Sequence, residues 1–388
     1  MSDKGMINSE RMVQHFETLV RIPSESKEER EVALKLKQEL ENLGAEVFID
    51  DADKTVNGNS GNVIAYVKGS KPDVSPFLLS AHMDTVPPGK GVRPVRKERM
   101  LKSSGDTVLG GDDKSGLSII VEVLRTLKEK NLPYGDLEIA FTICEEIGLL
   151  GAKILDPKRL RSKEGIVLDS EEASVLTTRG PAAVRMDVDV IGLESHAGVA
   201  PEKGISAVRI AAEGISKMKL GRIDKETTAN IGVIQGGVAT NIIPNRVHLK
   251  GEARSLDPKK LKIQASHMKK CFEDAARKFF VKTKGKKTAG KVKIEIDHDY
   301  TRLNLSRNSR VVKLAFEAAR YLGYPLKEGA TGGGSDANVY NLWKISTANL
   351  GTGMRDIHTV KEWLNLDDFE KSANLVAQMV LFHAGNQP

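Results

Sequence analysis

The sequence predicts an α/β protein in two parts. The larger is an open mixed sheet built from both ends of the chain, and the smaller is an inserted segment of β-α-β-β-α-β order. Three observations predict this. Four apolar strands each deliver an acid or a histidine at one end, as open α/β sheets do when they hold a ligand outside the carboxyl ends of their strands. Between about residues 179 and 300 the pattern changes, and none of the residues singled out below as candidate metal ligands lies there. After that segment a histidine, His358, returns in a glycine-rich loop, so the first part resumes.

The first strand lies in Pro76-Phe-Leu-Leu-Ser-Ala-His-Met-Asp84. Side chains alternate along an extended strand, so His82 and Asp84 face one centre. That spacing suits an imidazole metal ligand whose second nitrogen is oriented by a carboxylate. The second candidate strand, Asp106-Thr-Val-Leu109, runs into Gly110-Gly-Asp-Asp-Lys-Ser-Gly116 and then into an apolar run over residues 117–127. Asp113 reads there as a helix N-cap as readily as a functional acid, but a cap does not account for Asp112 as well. The third strand, Leu137-Glu-Ile-Ala-Phe-Thr-Ile-Cys-Glu-Glu146, ends in the neighbouring carboxylates Glu145 and Glu146. The fourth, Gly165-Ile-Val-Leu-Asp-Ser170, ends at Asp169, and Gly351-Thr-Gly-Met-Arg-Asp-Ile-His358 precedes Glu362 and the last helix.

Imidazole nitrogen and carboxylate oxygen are the donors that divalent ions take in hydrolases, with positions left for water. Carboxylates at Asp112, Glu146 and Asp169 nearly cancel the charge of two dications, and a bound hydroxide completes neutrality; one ion would leave a surplus of negative charge.

In the middle segment, residues 183–190 alternate as a strand, 206–218 read as a helix, and 229–234 and 247–253 as two further strands. A long helix over residues 258–280 and a strand over 291–296 complete a split-βαβ, ferredoxin-like order. The expected division is residues 1–178 with 301–388, and 179–300 inserted between them. His196, in Glu194-Ser-His-Ala-Gly-Val-Ala-Pro201, occupies a loop, where a solvated polar group is the ordinary reading. Asn241 and Arg254 read equally as a turn residue and a surface arginine or as contacts for a substrate's polar groups, a guanidinium being suited to a carboxylate. Gly332-Gly-Gly-Ser-Asp336 opens a short helical stretch whose N–H groups suit an anion, with Ser335 as its cap and Gly334 beside it. His15, His248, His267, His298 and His383 have no acidic constellation around them and are not taken as site residues.

The chain is 388 residues long with 40% hydrophobic residues, enough for two domains and a sizeable core. Its N-terminus is charged without an apolar signal core, and no run reaches membrane-spanning length, so a soluble cytoplasmic protein without membrane association is expected. Cys144 and Cys271 form neither a Cys-x-x-Cys motif nor a disulfide framework. Cys144, next to Glu145, reads as a small buried residue rather than a nucleophile. The net charge of +7 is partly concentrated in Lys282-Thr-Lys-Gly-Lys-Lys-Thr-Ala-Gly-Lys-Val-Lys293, which lacks interleaved aromatics. That tract reads as a solvated hairpin and not as a nucleic-acid surface.

Ser80-Ala-His-Met-Asp-Thr-Val86, Leu109-Gly-Gly-Asp-Asp-Lys-Ser-Gly116, Glu145-Glu-Ile-Gly148 and Asn241-Ile-Ile-Pro244 together resemble the di-zinc exopeptidase family that includes carboxypeptidase G, the acylases and peptidase T. The Asp-Asp-Lys form and Gly333-Gly-Ser-Asp-Ala-Asn338 resemble the peptidase T branch, and the likeness runs over nearly the whole chain. The resemblance implies that Asp112 bridges two Zn²⁺ ions, for which Co²⁺ or Mn²⁺ can substitute. His82 and Asp169 would complete one site, Glu146 and His358 the other. Glu145 would be the general base and Asp84 the residue that orients His82. His196 would steady the tetrahedral intermediate, and Asn241, Arg254, Gly334 and Ser335 would contact substrate. The resemblance also implies a cis peptide between Asp112 and Asp113, and an insert that serves as a lid and as a homodimer surface. Gly111 stands where alanine is usual in this branch. The expected activity is release of N-terminal residues from tripeptides. A carboxypeptidase or N-acyl amino acid deacylase is the alternative among enzymes, and a non-catalytic metal-stabilised binding protein the alternative of another class.

Overall fold

Four parallel strands lie side by side in the larger unit: Leu137–Thr142, Phe77–His82, Glu164–Ser170 and Ser346–Gly351. Being parallel, they present their carboxyl ends along one edge. The computed structural model describes residues 5–385. Antiparallel strands Val63–Val67 and Glu46–Ile49 extend the sheet beyond Leu137–Thr142, and Val175–Gly180 extends it beyond Ser346–Gly351. The sheet is therefore mixed.

The central strands are apolar throughout because both faces are covered. Leu79, Ala81, Ile139, Phe141, Ile166 and Leu168 pack into one buried cluster, with Phe16, Leu36, Ile120, Leu124, Val312 and Phe369 from the covering helices. Their strand neighbours Leu78, Ala140 and Val167 pack into a second, with Tyr340 and Ile345. The period of two that defines a strand thus splits each segment between two cores. Helix Gly111–Glu129 is the innermost of the helices, with both Leu117 and Val123 fully buried.

A small sheet of Met354–Arg355, Trp363–Asn365, Met100–Ser103 and Pro94–Lys97 completes this unit. Met354–Arg355 and Trp363–Asn365 pair antiparallel, so His358 sits in the hairpin between them. The expected strand at Asp106–Leu109 does not form. The strand lies earlier, at Met100–Ser103, and the backbone N–H of Leu109 is taken instead by the carboxylate of Glu362 at 2.7 Å. A segment whose donors are satisfied by a side chain has no need of a strand partner.

The second unit comprises Gly180–Arg302 together with Gly332–Gly334. The expected boundaries fall within two residues of this division, but the glycines Gly332–Gly334 group with the second unit rather than the first. Its chain order is strand Ala182–Ile191, helix Ala207–Lys217, strands Thr227–Gly236 and Arg246–Ser255, helix Pro258–Lys278 and strand Lys291–Tyr300. In the antiparallel sheet Arg246–Ser255 lies beside Ala182–Ile191, with Thr227–Gly236 and Lys291–Tyr300 flanking them. Val188, Val190, Ile210, Leu249, Met268 and Phe272 form its own core. The lysine-rich tract forms the hairpin Phe280–Thr283 and Lys286–Ala289. Among the described residues no helix is long and apolar enough to cross a membrane.

Gly116 fixes the distance between the innermost helix and the sheet. A Cβ there would come within 2.4 Å of the Leu168 carbonyl oxygen and 2.6 Å of the Asp113 carboxylate. Gly116→Ala should therefore destabilise the larger unit by about 1–3 kcal/mol, the usual scale of overpacking. Chemical denaturation monitored by tryptophan fluorescence would show it; an unchanged midpoint would mean that the helix can ride outward freely.

Candidate active site

The strand ends meet at Asp112. Its Oδ1 lies 3.0 Å from His82 Nε2 and its Oδ2 lies 3.1 Å from His358 Nε2. One carboxylate thus presents each oxygen to a different imidazole. His358 Nε2 also lies 2.9 Å from Glu146 Oε2, and ligand-capable atoms of His82, Asp112 and Glu146 lie within 4.8 Å of one another. The peptide between Asp112 and Asp113 is cis.

Asp113 and Asp112 part company here. Asp113 Oδ1 accepts the Gly116 N–H at 3.1 Å, as an N-cap does, and Oδ2 accepts the His82 N–H at 3.1 Å. Asp84 lies just past the end of its strand. His82 Nδ1 is 2.9 Å from the Asp84 backbone carbonyl and 3.4 Å from its carboxylate. The same carboxylate accepts the N–H of Glu145 at 2.9 Å, that of Glu146 at 3.2 Å and the Ser26 hydroxyl at 2.6 Å. One side chain therefore sets both the imidazole and the turn that carries the two glutamates. Asp169 ends its strand, where its N–H donates to Asn349 Oδ1 at 3.0 Å and its carbonyl accepts from Asn349 Nδ2 at 2.6 Å.

Burial pushes the carboxyls of Glu145, Glu146 and Asp169 upward, and each is pushed further by its acidic neighbours. Burial would raise Asp112 too, but hydrogen bonds from His358 and His82 outweigh it and hold it below the usual range. His358 is raised to about 10 by Asp112 and Glu146. Burial opposes the charged form of His82, yet Asp112 and Asp84 hold it well above the ordinary histidine value. Without a cation the site favours its protonated forms; divalent cations would displace those protons and take the freed carboxylate and imidazole donors. Glu146 Oε1 is buried with no hydrogen-bond partner, a further mark of a ligand atom. The donors present fit a metal pair.

Several contributors escaped the sequence reading. Glu362, fully enclosed, accepts N–H groups of Leu109, Gly110 and Asp112. Glu29 Oε1 accepts the Cys144 N–H at 3.0 Å, where Cys144 holds a left-handed φ of 51°. Ser24 donates to the Met83 carbonyl at 2.8 Å, and buried Lys114 donates to the Ile22 carbonyl at 2.6 Å. Thr142 donates to Asp336 at 2.5 Å. These partners are distant in sequence, and only the Ser and Glu content of residues 22–29 hinted at a polar lacing. Cys144 is buried, and burial with Glu29 nearby raises its thiol far from a nucleophile's range. The expectation that the remaining histidines lack acidic neighbours is corrected for three of them. His15 pairs with Glu39, His248 with Asp187 and Asp189, and His383 with Glu164, each through a tertiary contact.

His196, Asn241, Arg254 and Gly334 belong to the second unit. There His196 and Asn241 are neighbours, since the Ala197 N–H donates to the Asn241 carbonyl at 2.9 Å. The exposed His196 ring accepts N–H groups of Gly198 and Val199 through Nδ1, which leaves Nε2 as its donor. Arg254 pairs with Glu252 at 3.0 Å, while its Nε is buried without a partner. A Cβ at Gly334 would meet the Tyr300 ring at 2.5 Å, so glycine is required by close approach. Ser335 caps helix Asp336–Leu342 in a reciprocal pair with Asn338.

The model of peptidase family M20/M25/M40 matches residues 78–381. The chain belongs to this peptidase family. It is 40% identical over 97% of its length to an uncharacterized protein, YqjE, of Bacillus subtilis, covering 99% of that protein. It is similar to the crystal structure of aminopeptidase PepT from Bacillus cereus, with 40% identity, a TM-score of 0.86, and 98% and 100% of the two chains covered. A tripeptidase from Staphylococcus aureus matches with 36% identity, a TM-score of 0.90 and the same coverage. The resemblance to peptidase T is thereby supported, and the mixed α/β fold is that of the family.

The adjacent glutamates should fail differently when changed to Gln. Glu145→Gln should retain bound metal while turnover falls by about two orders of magnitude or more, the usual scale for loss of a general base. Glu146→Gln should bind metal more weakly and recover part of its activity at high metal concentration. Metal analysis with activity titration decides; the opposite assignment of losses would reverse the two roles.

Proposed function

We propose that the protein is a di-metal aminopeptidase that releases N-terminal residues from short peptides, tripeptides foremost. The observation that carries this reading is Asp112, whose two oxygens each face a different imidazole. A second support is the likeness to the structures of an aminopeptidase and a tripeptidase.

In this reading His82, Asp169 and Asp112 would hold one Zn²⁺, and Glu146, His358 and Asp112 would hold the other. The ions, when bound, supply Lewis acidity that makes water a nucleophile near neutral pH and polarises the scissile carbonyl. Glu145, buried and reluctant to stay ionised, takes the water's proton and passes it to the leaving amine. Asp84 keeps His82 and the Glu145–Glu146 turn in register. The second unit, ferredoxin-like in its order, acts as the lid and as the surface of a homodimer. In the same reading His196 serves as a donor to the tetrahedral oxygen, and Asn241, Arg254, Gly334 and Ser335 contact the substrate's polar groups.

Acylation separates this activity from its relatives. On a panel of di- and tripeptides with free or acetylated amino ends, activity should be confined to the free set. Equal rates on both sets would contradict it and favour a carboxypeptidase, and activity confined to the acetylated set would favour a deacylase. His196→Ala should lower kcat with metal content unchanged, and Arg254→Ala should chiefly raise KM. Wild-type constants in both variants would remove these residues from the site.

A further inference from the structure

The loop that carries Asp112 is held on its backbone by a buried side chain from the far end of the chain. Glu362 is 2% exposed. Its Oε2 accepts the N–H groups of Leu109 at 2.7 Å and Gly110 at 2.8 Å, and its Oε1 accepts the N–H of Asp112 at 3.0 Å. Between those residues Gly111 leaves room for it: a Cβ at that position would lie 3.0 Å from Glu362 Oε1. Glu362 is also tied to the histidine's loop. Its own N–H donates to the Thr359 carbonyl at 3.1 Å, and the next residue enters strand Trp363–Asn365. The Asp112 loop and the His358 hairpin, which the chain places about 250 residues apart, are thus joined through one carboxylate.

The geometry points to Glu362 as the positioning residue that fixes Asp112 against His358 and so sets the spacing of the two metal sites. Its hydrogen bonds go to backbone N–H groups, so it acts through the backbone of Asp112. A carboxyl group with both oxygens turned to three inward N–H donors accepts from all of them, whereas an amide would keep one oxygen and turn an NH₂ against a donor. A second link supports the same division of labour. Ser115 donates to the Thr352 hydroxyl at 2.7 Å, and the Thr352 N–H donates to the Ser170 carbonyl at 2.9 Å, which ties the same loop to the strand of Asp169. With Ser115 securing one side, Glu362 specifically governs the His358 side.

This inference rests on the di-metal reading, and its test separates the two. Apoprotein of wild type, Glu362→Gln and Glu362→Asp is titrated with Co²⁺, following stoichiometry by chelator competition and the visible d–d spectrum, with circular dichroism confirming the fold. Wild type should bind two equivalents; fewer would sink the di-metal reading itself. Glu362→Gln should keep one tight site and weaken the other by about tenfold or more, in line with loss of an outer-shell partner, with an altered cobalt spectrum and kcat reduced more than KM is changed. Glu362→Asp, which retains the charge on a shorter arm, should lose less. Wild-type affinity and spectrum in a folded Glu362→Gln would overturn the assignment. If Glu362→Gln does not fold, wild-type metal binding in Glu362→Asp would equally overturn it.

Discussion

Like charge concentrated in a buried place is the constraint on which this structure turns. Asp112, Glu145 and Asp84 are all nearly or fully enclosed, with the Glu146 and Asp169 carboxyls beside them. Such a cluster is costly unless each carboxylate is paired, hydrogen-bonded or neutralised. The parallel strands create the problem by aiming their ends at one spot. They also make the solution available, because the same aim brings two imidazoles to opposite oxygens of Asp112.

The backbone does much of the remaining work. Asp84, Asp113, Glu29 and Glu362 spend their oxygens on N–H groups of the loops that carry the candidate ligands. These acids are anchored before any substrate arrives, and they leave Asp112 and Glu146 with oxygens aimed into the site. Preorganisation of this kind matters because a ligand held by packed neighbours does not have to be ordered at the moment of reaction. The acids in this chain therefore fall into two populations: those turned toward the backbone and those turned toward the centre.

The acids turned toward the centre were legible in the sequence, and so were two of those turned toward the backbone, Asp84 and Asp113; Glu29 and Glu362 were not. His82, Glu146 and Asp169 stood out because each closes an apolar run, and burial of both sheet faces enforces such runs. Asp113 read as a helix cap, which did not account for Asp112 as well, and Asp113 accepts the Gly116 N–H. Glu29 and Glu362 carry no such mark. Glu29 reads as one more acid in Lys27-Glu-Glu-Arg30, and Glu362 as a surface residue before tryptophan, because what enclosed them came from sequence-distant segments. The false strand at Asp106–Leu109 has the same origin: its apolar pattern was real, but Glu362 claimed its donor. In the second unit the alternation of residues 183–190 and 247–253 located the strands, and the sheet extends each by one or two residues at each end.

The central claim is that Asp112 bridges two ions. A crystal of the zinc-loaded protein, with anomalous differences collected at the zinc edge, tests it most directly. The account predicts two peaks roughly 3.5–4 Å apart, one beside His82 and one beside His358, with Asp112 between them. A single peak, or a pair that does not share Asp112, would contradict it.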